Sequence, residues 1–205
     1  MSKRAFCQQC NKALVACICG SICELNNQYF LHILQDPSEQ KKAIGTARIL
    51  DLSLSKVQLS IGTVFNPTDF DLDNTFLVFP SETASTVADL HTMKKINSRT
   101  QFILLDGSWK KAYKILMSNP FLKTLPTITF NTENKSSNYR LRKSPREDGL
   151  STVEAGYYLL SELENDTEKF IPLLDVFDEM INFQVANIPK DVYQQNYLKN
   201  KTGES

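Results

Sequence analysis

Short, nearly continuous apolar runs, separated by segments of helical pattern, are the feature that most limits how this chain can fold. The clearest run is Gln101–Leu105, which leads directly into Asp106-Gly107-Ser108-Trp109 and then into a helix predicted from Lys110 to Met117. Strands that are apolar on both faces occur in sheets that are covered by helices on both sides. The alternation therefore predicts an α/β fold with a mostly parallel sheet and flanking helices.

The same patterns assign the other elements. Further strands are predicted at residues 29–34, 57–61, 76–79 and 127–130, and further helices at 36–52, 86–95, 152–163, 167–180 and 192–198. The helix at 36–52 is predicted from its start, where Asp36 could cap it, Pro37 take the first position and Glu39 the third. Ligands of parallel sheets bind in the loops after the strands, which points to residues 35–39, 80–83 and 106–109.

Length and charge restrict the class of protein. The 205 residues fit one domain, or a domain with a small appendage. The 23 basic side chains balance the 23 acidic ones, so attraction to nucleic acid must come from a local patch. The apolar runs are too short to cross a bilayer, so no membrane partner is expected.

Four of the five cysteines are clustered near the N-terminus, and the cluster has two incompatible interpretations. Leu14-Val15-Ala16-Cys17 matches the site at which bacterial lipoproteins are cut and acylated, but residues 5–16 are too polar for the apolar segment that export requires. Without export the compartment is cytoplasmic and reducing, which disfavours disulfides. The spacing of Cys7, Cys10, Cys17 and Cys19 then favours a structural zinc site over four unligated thiols. This predicts a zinc-binding module at residues 1–26, followed by a second domain at 27–205.

The corner after strand 101–105 carries the best candidates for chemistry. The carboxylate of Asp106, at the end of a buried strand, should be partly desolvated and directed at a pocket, a setting that suits a general base. Gly107 would permit close approach of a ligand, and Trp109 offers a flat aromatic face. A structural interpretation stands beside the functional one, because Ser108 could simply cap the helix and Trp109 could simply pack.

Two more segments have a similar double interpretation. Ser151-Thr152-Val153-Glu154 has the form of a capping box, and the same helix start could also bind an anion. The loop Lys135–Arg146, called the basic loop below, is either a solvated surface or a patch that binds the phosphates of RNA. Its candidate RNA-binding residues are Lys135, Tyr139, Arg140, Arg142, Lys143 and Arg146.

Taken together and in order, these segments resemble the DTW-domain family of tRNA-uridine aminocarboxypropyltransferases. The matching pieces are the four clustered cysteines, Leu34–Glu39, Gly45–Arg48, Phe79–Glu82, Leu105–Ala112, Asn119-Pro120, Tyr139–Lys143 and Leu150–Ala155. The chain departs from the family pattern at Ser108, where threonine is usual, and at Asp36, where histidine is usual. No role is carried over to Asp36.

The resemblance implies an α/β core of the knotted SPOUT type, S-adenosylmethionine as donor substrate and tRNA as acceptor. It implies transfer of the 3-amino-3-carboxypropyl group to a ring nitrogen of a uridine, with Asp106 as the base and Ser108 and Trp109 beside it as catalytic residues. The residues implied to bind S-adenosylmethionine are Pro80, Ser81, Glu82, Leu105, Asp106, Gly107, Leu150, Ser151, Thr152 and Glu154. The alternatives are a SPOUT-type RNA methyltransferase and a zinc-containing RNA-binding module without catalysis.

Overall fold

A single sheet organises the part of the chain that the structure describes. The structure is a computed structural model, and it describes residues 5–129 and 150–187. Within those residues, the sheet contains six parallel strands in the order β2-β1-β5-β3-β6-β4. The strands are β1 (Phe30–Gln35), β2 (Val57–Ile61), β3 (Thr75–Val78), β4 (Ser85–Thr86), β5 (Gln101–Asp106) and β6 (Thr127–Thr129). The predicted α/β class and the parallel sheet are confirmed.

Helices cover both faces of this sheet. They are α1 (Ala47–Ser53), α2 (Val87–Thr92), α3 (Trp109–Ser118), α4 (Thr152–Glu164) and α5 (Thr167–Ala186). Because side chains alternate along a strand, Ile33 and Leu104 point to one face and pack in a core with α1, α2, α4 and α5. Leu34 and Ile103 point to the other face and pack against Ile115 of α3.

A glycine sets the distance between α1 and α4. A Cβ atom at Gly156 would lie 2.7 Å from both Cδ atoms of Leu50, which is fully buried. This is well inside van der Waals contact, so the packing requires a residue without a side chain on this face of α4. The contact sets how closely α4 packs on α1.

The cysteine-rich segment packs on the same core. Cys10 and Ile18 are buried within the core cluster, and the backbone amide of Leu25 donates to the carbonyl of Ser53 at 2.7 Å. The Lys12 Nζ is buried and donates to the carbonyls of Ala43 and Gly45 at 2.7 and 3.2 Å. The division into residues 1–26 and 27–205 stays a prediction.

Most predicted elements are confirmed with small shifts at their ends, but the helix at 36–52 is wrong in its first half. The amides of Glu39, Lys42 and Gly45 each donate to the carbonyl three residues earlier, giving a series of tight turns before α1. Contacts from a distant residue compete with the helix. The Lys12 ammonium donates hydrogen bonds to the carbonyls of Ala43 and Gly45. The two-residue strand β4 was not predicted.

Several predictions concern residues that lie outside the described ranges. The helix at 192–198 and the basic loop lie outside, and the knotted topology stays a prediction because the path of residues 130–149 is not described. No helix within residues 5–129 and 150–187 combines the length and the apolar character that crossing a membrane requires.

Candidate active site and metal centre

The candidate active site lies where the central strands end. β5 pairs with β1 on one side and β3 on the other, and all three run parallel. Their carboxyl ends therefore lie at one edge of the sheet, as do the loops that follow them. The start of α4 reaches the same edge, since Thr152 donates a hydrogen bond to Asp106.

Two side chains from distant segments hold the Asp106 carboxylate. Gln35 stands in register with Asp106 on the neighbouring strand, and its Nε2 donates to Oδ2 at 2.7 Å. The Thr152 hydroxyl donates to the other carboxylate oxygen, Oδ1. Asp106 and Gln35 are only 7% and 4% exposed. Because both oxygens accept a hydrogen bond and water has little access, the orientation of this carboxylate is fixed.

The start of α4 is built as predicted from its capping box. The Ser151 amide donates to Glu154 Oε2 at 2.7 Å, and the Glu154 amide donates to the Ser151 hydroxyl at 3.3 Å. Both side chains are buried. Reciprocal capping fixes the first turn of the helix and thereby fixes Thr152, which is its first residue. The capping interpretation is confirmed. The same cap positions Thr152, which donates a hydrogen bond to Asp106.

The turn after β5 confirms one structural expectation and corrects another. A Cβ atom at Gly107 would lie 2.9 Å from the Lys111 Cβ, so glycine is needed for α3 to begin this close to the strand. Ser108 is the N-cap residue, as expected, and its carbonyl accepts from the amides of Lys111 and Ala112. Its hydroxyl, however, forms no capping hydrogen bond with the described residues. The prediction that the Ser108 side chain caps α3 is therefore wrong.

Trp109 connects this turn to the loop after β3. Its ring lies 6.0 Å from the ring of Phe79, at an interplanar angle of 74°. Pro80, Ser81 and Glu82 follow as an exposed loop, in which the Ser81 and Thr127 hydroxyls are 2.7 Å apart. The predicted cofactor loop thus stands beside the strand that carries Asp106, since β3 and β5 are neighbours.

The loop after β1 is tied to α3 by an ion pair. The Lys111 Nζ lies 2.8 Å from Glu39 Oε1, and Lys42 also pairs with Glu39 at 2.9 Å. Burial on its own raises the pKa of Glu39, but hydrogen bonds from Lys111 and Lys42 outweigh it and hold that pKa below its usual value. A hydrogen bond from Ser38 likewise lowers the pKa of Asp36. The loop therefore presents ionised carboxylates next to Asp106.

The four clustered cysteines are brought together as a candidate metal centre. The Sγ atoms of Cys7 and Cys19 are 3.7 Å apart, as are those of Cys10 and Cys17, and all four lie within 4.8 Å of one another. A tetrahedral zinc site with Zn–S bonds of about 2.3 Å has S–S edges of about 3.8 Å. The positive φ of 58° at Asn11 turns the chain back between the two halves of the cluster. The donor set and its spacing therefore fit zinc.

A solvent-open cleft separates this centre from the end of β1. Its lining includes Cys10, Lys12, Gln35, Glu39, Lys42 and Arg48. Burial lowers the pKa of Lys12 to about 8, and the neighbouring Cys10 opposes that shift. The cleft connects the cysteine cluster to Gln35, which bonds to Asp106.

The structure thus brings together Asp106, Thr152 and the turn at 107–109, with the loop at 80–82 on the neighbouring strand. It adds Gln35 and the Glu39–Lys111 ion pair, which the sequence did not identify as site residues. The signals for Gln35 were its position in the loop region 35–39 and its place in the matching piece Leu34–Glu39. The six candidate RNA-binding residues of the basic loop lie outside the described chain.

Comparison with known proteins gives consistent similarities. The chain is 28% identical to tRNA-uridine aminocarboxypropyltransferase 2 of Drosophila melanogaster, over 91% of this chain and 77% of that protein. It is 26% identical to the protein of the same name from Macaca fascicularis, over 90% of this chain and 65% of that protein. For the Mus musculus protein the identity is 24%, over 96% of this chain and 69% of that protein.

No solved structure matches the chain. The DTW domain family, in contrast, matches residues 4–185, which is most of the chain and includes both the cysteine cluster and the Asp106 corner. The chain belongs to the DTW domain family.

Proposed function

We propose that this protein transfers the 3-amino-3-carboxypropyl group of S-adenosylmethionine to a ring nitrogen of a uridine in tRNA. The observation that carries the proposal is the buried Asp106 carboxylate, which Gln35 and Thr152 orient at the carboxyl end of a central strand. The names of the relatives support the same reaction. The matches cover at least 90% of this chain and between 65% and 77% of each relative.

The proposed step needs a base and a positioned electrophile. A uridine ring nitrogen is a poor nucleophile until it loses its proton, and Asp106 would accept that proton. The nitrogen then forms a bond to the γ-carbon of the aminocarboxypropyl group as the bond from that carbon to sulfur breaks. The sulfonium becomes the neutral thioether of methylthioadenosine, so charge and atoms balance. Which of the three carbons on sulfur reacts depends on which one lies in line with the nitrogen.

The donor would bind across the turn after β5 and its neighbours. Leu105, Gly107, Ser108 and Trp109 would form one wall and Pro80–Glu82 the other, because these segments follow adjacent strands. The α4 start, Leu150–Glu154, would bind the carboxylate of the transferred group. A helix N-terminus favours an anion, and the capping box orders this one.

Zinc would have a structural role. Cys7, Cys10, Cys17 and Cys19 would hold it, and it would fix the fold of the N-terminal segment without taking part in the transfer. Four thiolates around Zn²⁺ carry a net negative charge, which the buried ammonium of Lys12 would partly offset. Since Lys12 also binds the carbonyls of the loop before α1, the metal would stabilise that loop indirectly.

Basic side chains would bind the tRNA acceptor. The proposal assigns Lys135, Arg140, Arg142, Lys143 and Arg146 to RNA phosphates and Tyr139 to a base. It also assigns the protein to the cytoplasm, where tRNA is available.

Product analysis tests the reaction directly. Purified protein is incubated with unmodified tRNA and S-adenosylmethionine, and both the nucleosides and the small-molecule products are identified by mass spectrometry. The proposal predicts aminocarboxypropyl-uridine and methylthioadenosine in equal amounts. S-adenosylhomocysteine and methylated uridine would instead identify a methyltransferase. Absence of a thermal shift with S-adenosylmethionine, together with tRNA binding, would identify a non-catalytic RNA-binding protein.

A further inference from the structure

One face of α3 is exposed and carries both cations and large apolar groups. Lys110, Tyr113, Lys114 and Met117 have the spacing i, i+3, i+4, i+7, so they share one side of the helix. All four are exposed, with Tyr113 at 57% and Met117 at 47%. The opposite side of α3 buries Ala112 and Ile115 in the core. This exposed side is called the α3 stripe below.

Within the described residues, no acidic side chain forms a salt bridge with a lysine of the α3 stripe. The ten residues of α3 contain no acidic side chain. Among residues 5–129 and 150–187, neither Lys110 nor Lys114 takes part in a salt bridge or side-chain hydrogen bond. Lys111 differs, because it faces the loop after β1 and pairs with Glu39. Two solvated ammonium groups thus flank an exposed aromatic ring, a combination that complements the phosphates and bases of single-stranded RNA.

The position of the α3 stripe connects it to the candidate active site. α3 begins three residues after Asp106, and with a rise of about 1.5 Å per residue the stripe extends for about 10 Å from Lys110 to Met117. The positive charges of Lys111 and Lys114 help to lower the pKa of the Asp36 carboxyl group. Lys114 therefore lies near the loop after β1, and Lys110 lies in the first turn of α3, which begins three residues after Asp106.

We propose that the α3 stripe binds the unpaired tRNA strand next to the target uridine. Lys110 and Lys114 contact phosphates, and Tyr113 stacks on a neighbouring base. This inference rests on the proposed function and adds to it a surface that would hold the flanking nucleotides while the uridine occupies the pocket at Asp106. A second copy of this chain is the competing occupant, because Tyr113 and Met117 could also form a dimer contact.

Binding experiments with matched variants test the proposal. The affinity of the full chain for unmodified tRNA is measured at several salt concentrations for Lys110→Ala/Lys114→Ala and for Tyr113→Ala. One control is Lys95→Ala/Arg99→Ala, which removes two exposed charges from the segment between α2 and the amino end of β5. The other is Tyr113→Phe, which keeps the ring. All substituted side chains are exposed, and thermal unfolding verifies that each variant is folded.

The double-lysine variant should reduce the slope of log K against log salt by roughly 1.4, since each lost phosphate contact on a single strand contributes roughly 0.7. Tyr113→Ala should weaken binding roughly 5- to 150-fold, whereas Tyr113→Phe should stay near wild type. Unchanged affinity and slope in both test variants, in protein that still modifies tRNA, overturn the α3 stripe but leave the proposed function intact. A loss of self-association with unchanged tRNA affinity also overturns it, in favour of the dimer. Wild-type protein that does not bind tRNA contradicts both proposals.

Discussion

Replacement of Gln35 by methionine is the perturbation that most sharply probes how Asp106 is held. Methionine has a similar length and no hydrogen-bond donor, so Gln35→Met removes the 2.7 Å hydrogen bond to Asp106 Oδ2 and little volume. Both side chains are almost completely buried, so water cannot easily replace the lost donor. The Thr152 bond to Oδ1 remains.

The size of the effect follows from the charge on the acceptor. A hydrogen bond to an ionised group contributes about 1.5–3 kcal/mol, roughly twice that of a neutral pair. If the bond holds the carboxylate oriented toward the substrate, its loss should lower kcat/KM by roughly 10- to 150-fold. The free energy of unfolding should fall by a similar 1.5–3 kcal/mol.

The assay is the rate of aminocarboxypropyl transfer to tRNA, with binding of S-adenosylmethionine and of tRNA measured separately. Gln101→Met is a matched control, because it removes the same amide from the amino end of β5, where Gln101 contacts His32 and not the site. The control should lose some stability but retain kcat/KM. Should Gln35→Met keep a kcat/KM within twofold of wild type, the idea that Gln35 positions Asp106 is refuted.

Three further predictions concern packing, the metal centre and the ion pair. Gly156→Ala should cost about 1–3 kcal/mol in denaturant unfolding because its Cβ meets Leu50, and an unchanged midpoint would contradict the packing. Purified protein should contain one zinc by elemental analysis, and Cys17→Ser should lose zinc and stability while Cys23→Ser, outside the cluster, retains both. The pKa of Glu39 is lowered in the folded protein, so its stabilisation is present above the unfolded pKa, ordinarily 4.5, and disappears as pH falls through the folded pKa. Glu39→Gln should therefore be less stable than wild type at pH 7, with a difference that shrinks below about pH 4.5; a constant difference would argue against the ion pair.

Local sequence patterns were sufficient where the stabilising contacts are local. The five apolar strands were predicted correctly, as was the capping box of Ser151 and Glu154, which closes within four residues. The polar strand β4 has no such pattern and was missed. The four cysteines lie close in sequence, and their sulfur atoms converge as expected. Asp106 was identified from its place after a buried strand, which is also a local feature.

Local sequence patterns could not predict contacts between segments that are far apart in sequence. Gln35 reaches Asp106 only because β1 and β5 pair in one register, although 71 residues separate the two in sequence. The helix predicted from Asp36 has good local signals, yet Lys12 and Lys111 bind the loop from outside and the turns prevail. The α3 stripe required knowledge of which side of the helix is buried, and this depends on the sheet beneath it.

The most direct test of the central claim is the single-turnover rate of group transfer by Asp106→Asn. Asparagine keeps the size of the side chain and can still accept a hydrogen bond, but it cannot take a proton from the uridine. If Asp106 is the base, the rate should fall by roughly 10²- to 10⁴-fold, while binding of S-adenosylmethionine and of tRNA stays close to that of the wild-type protein. A rate of aminocarboxypropyl transfer by Asp106→Asn close to that of the wild-type protein would contradict the account.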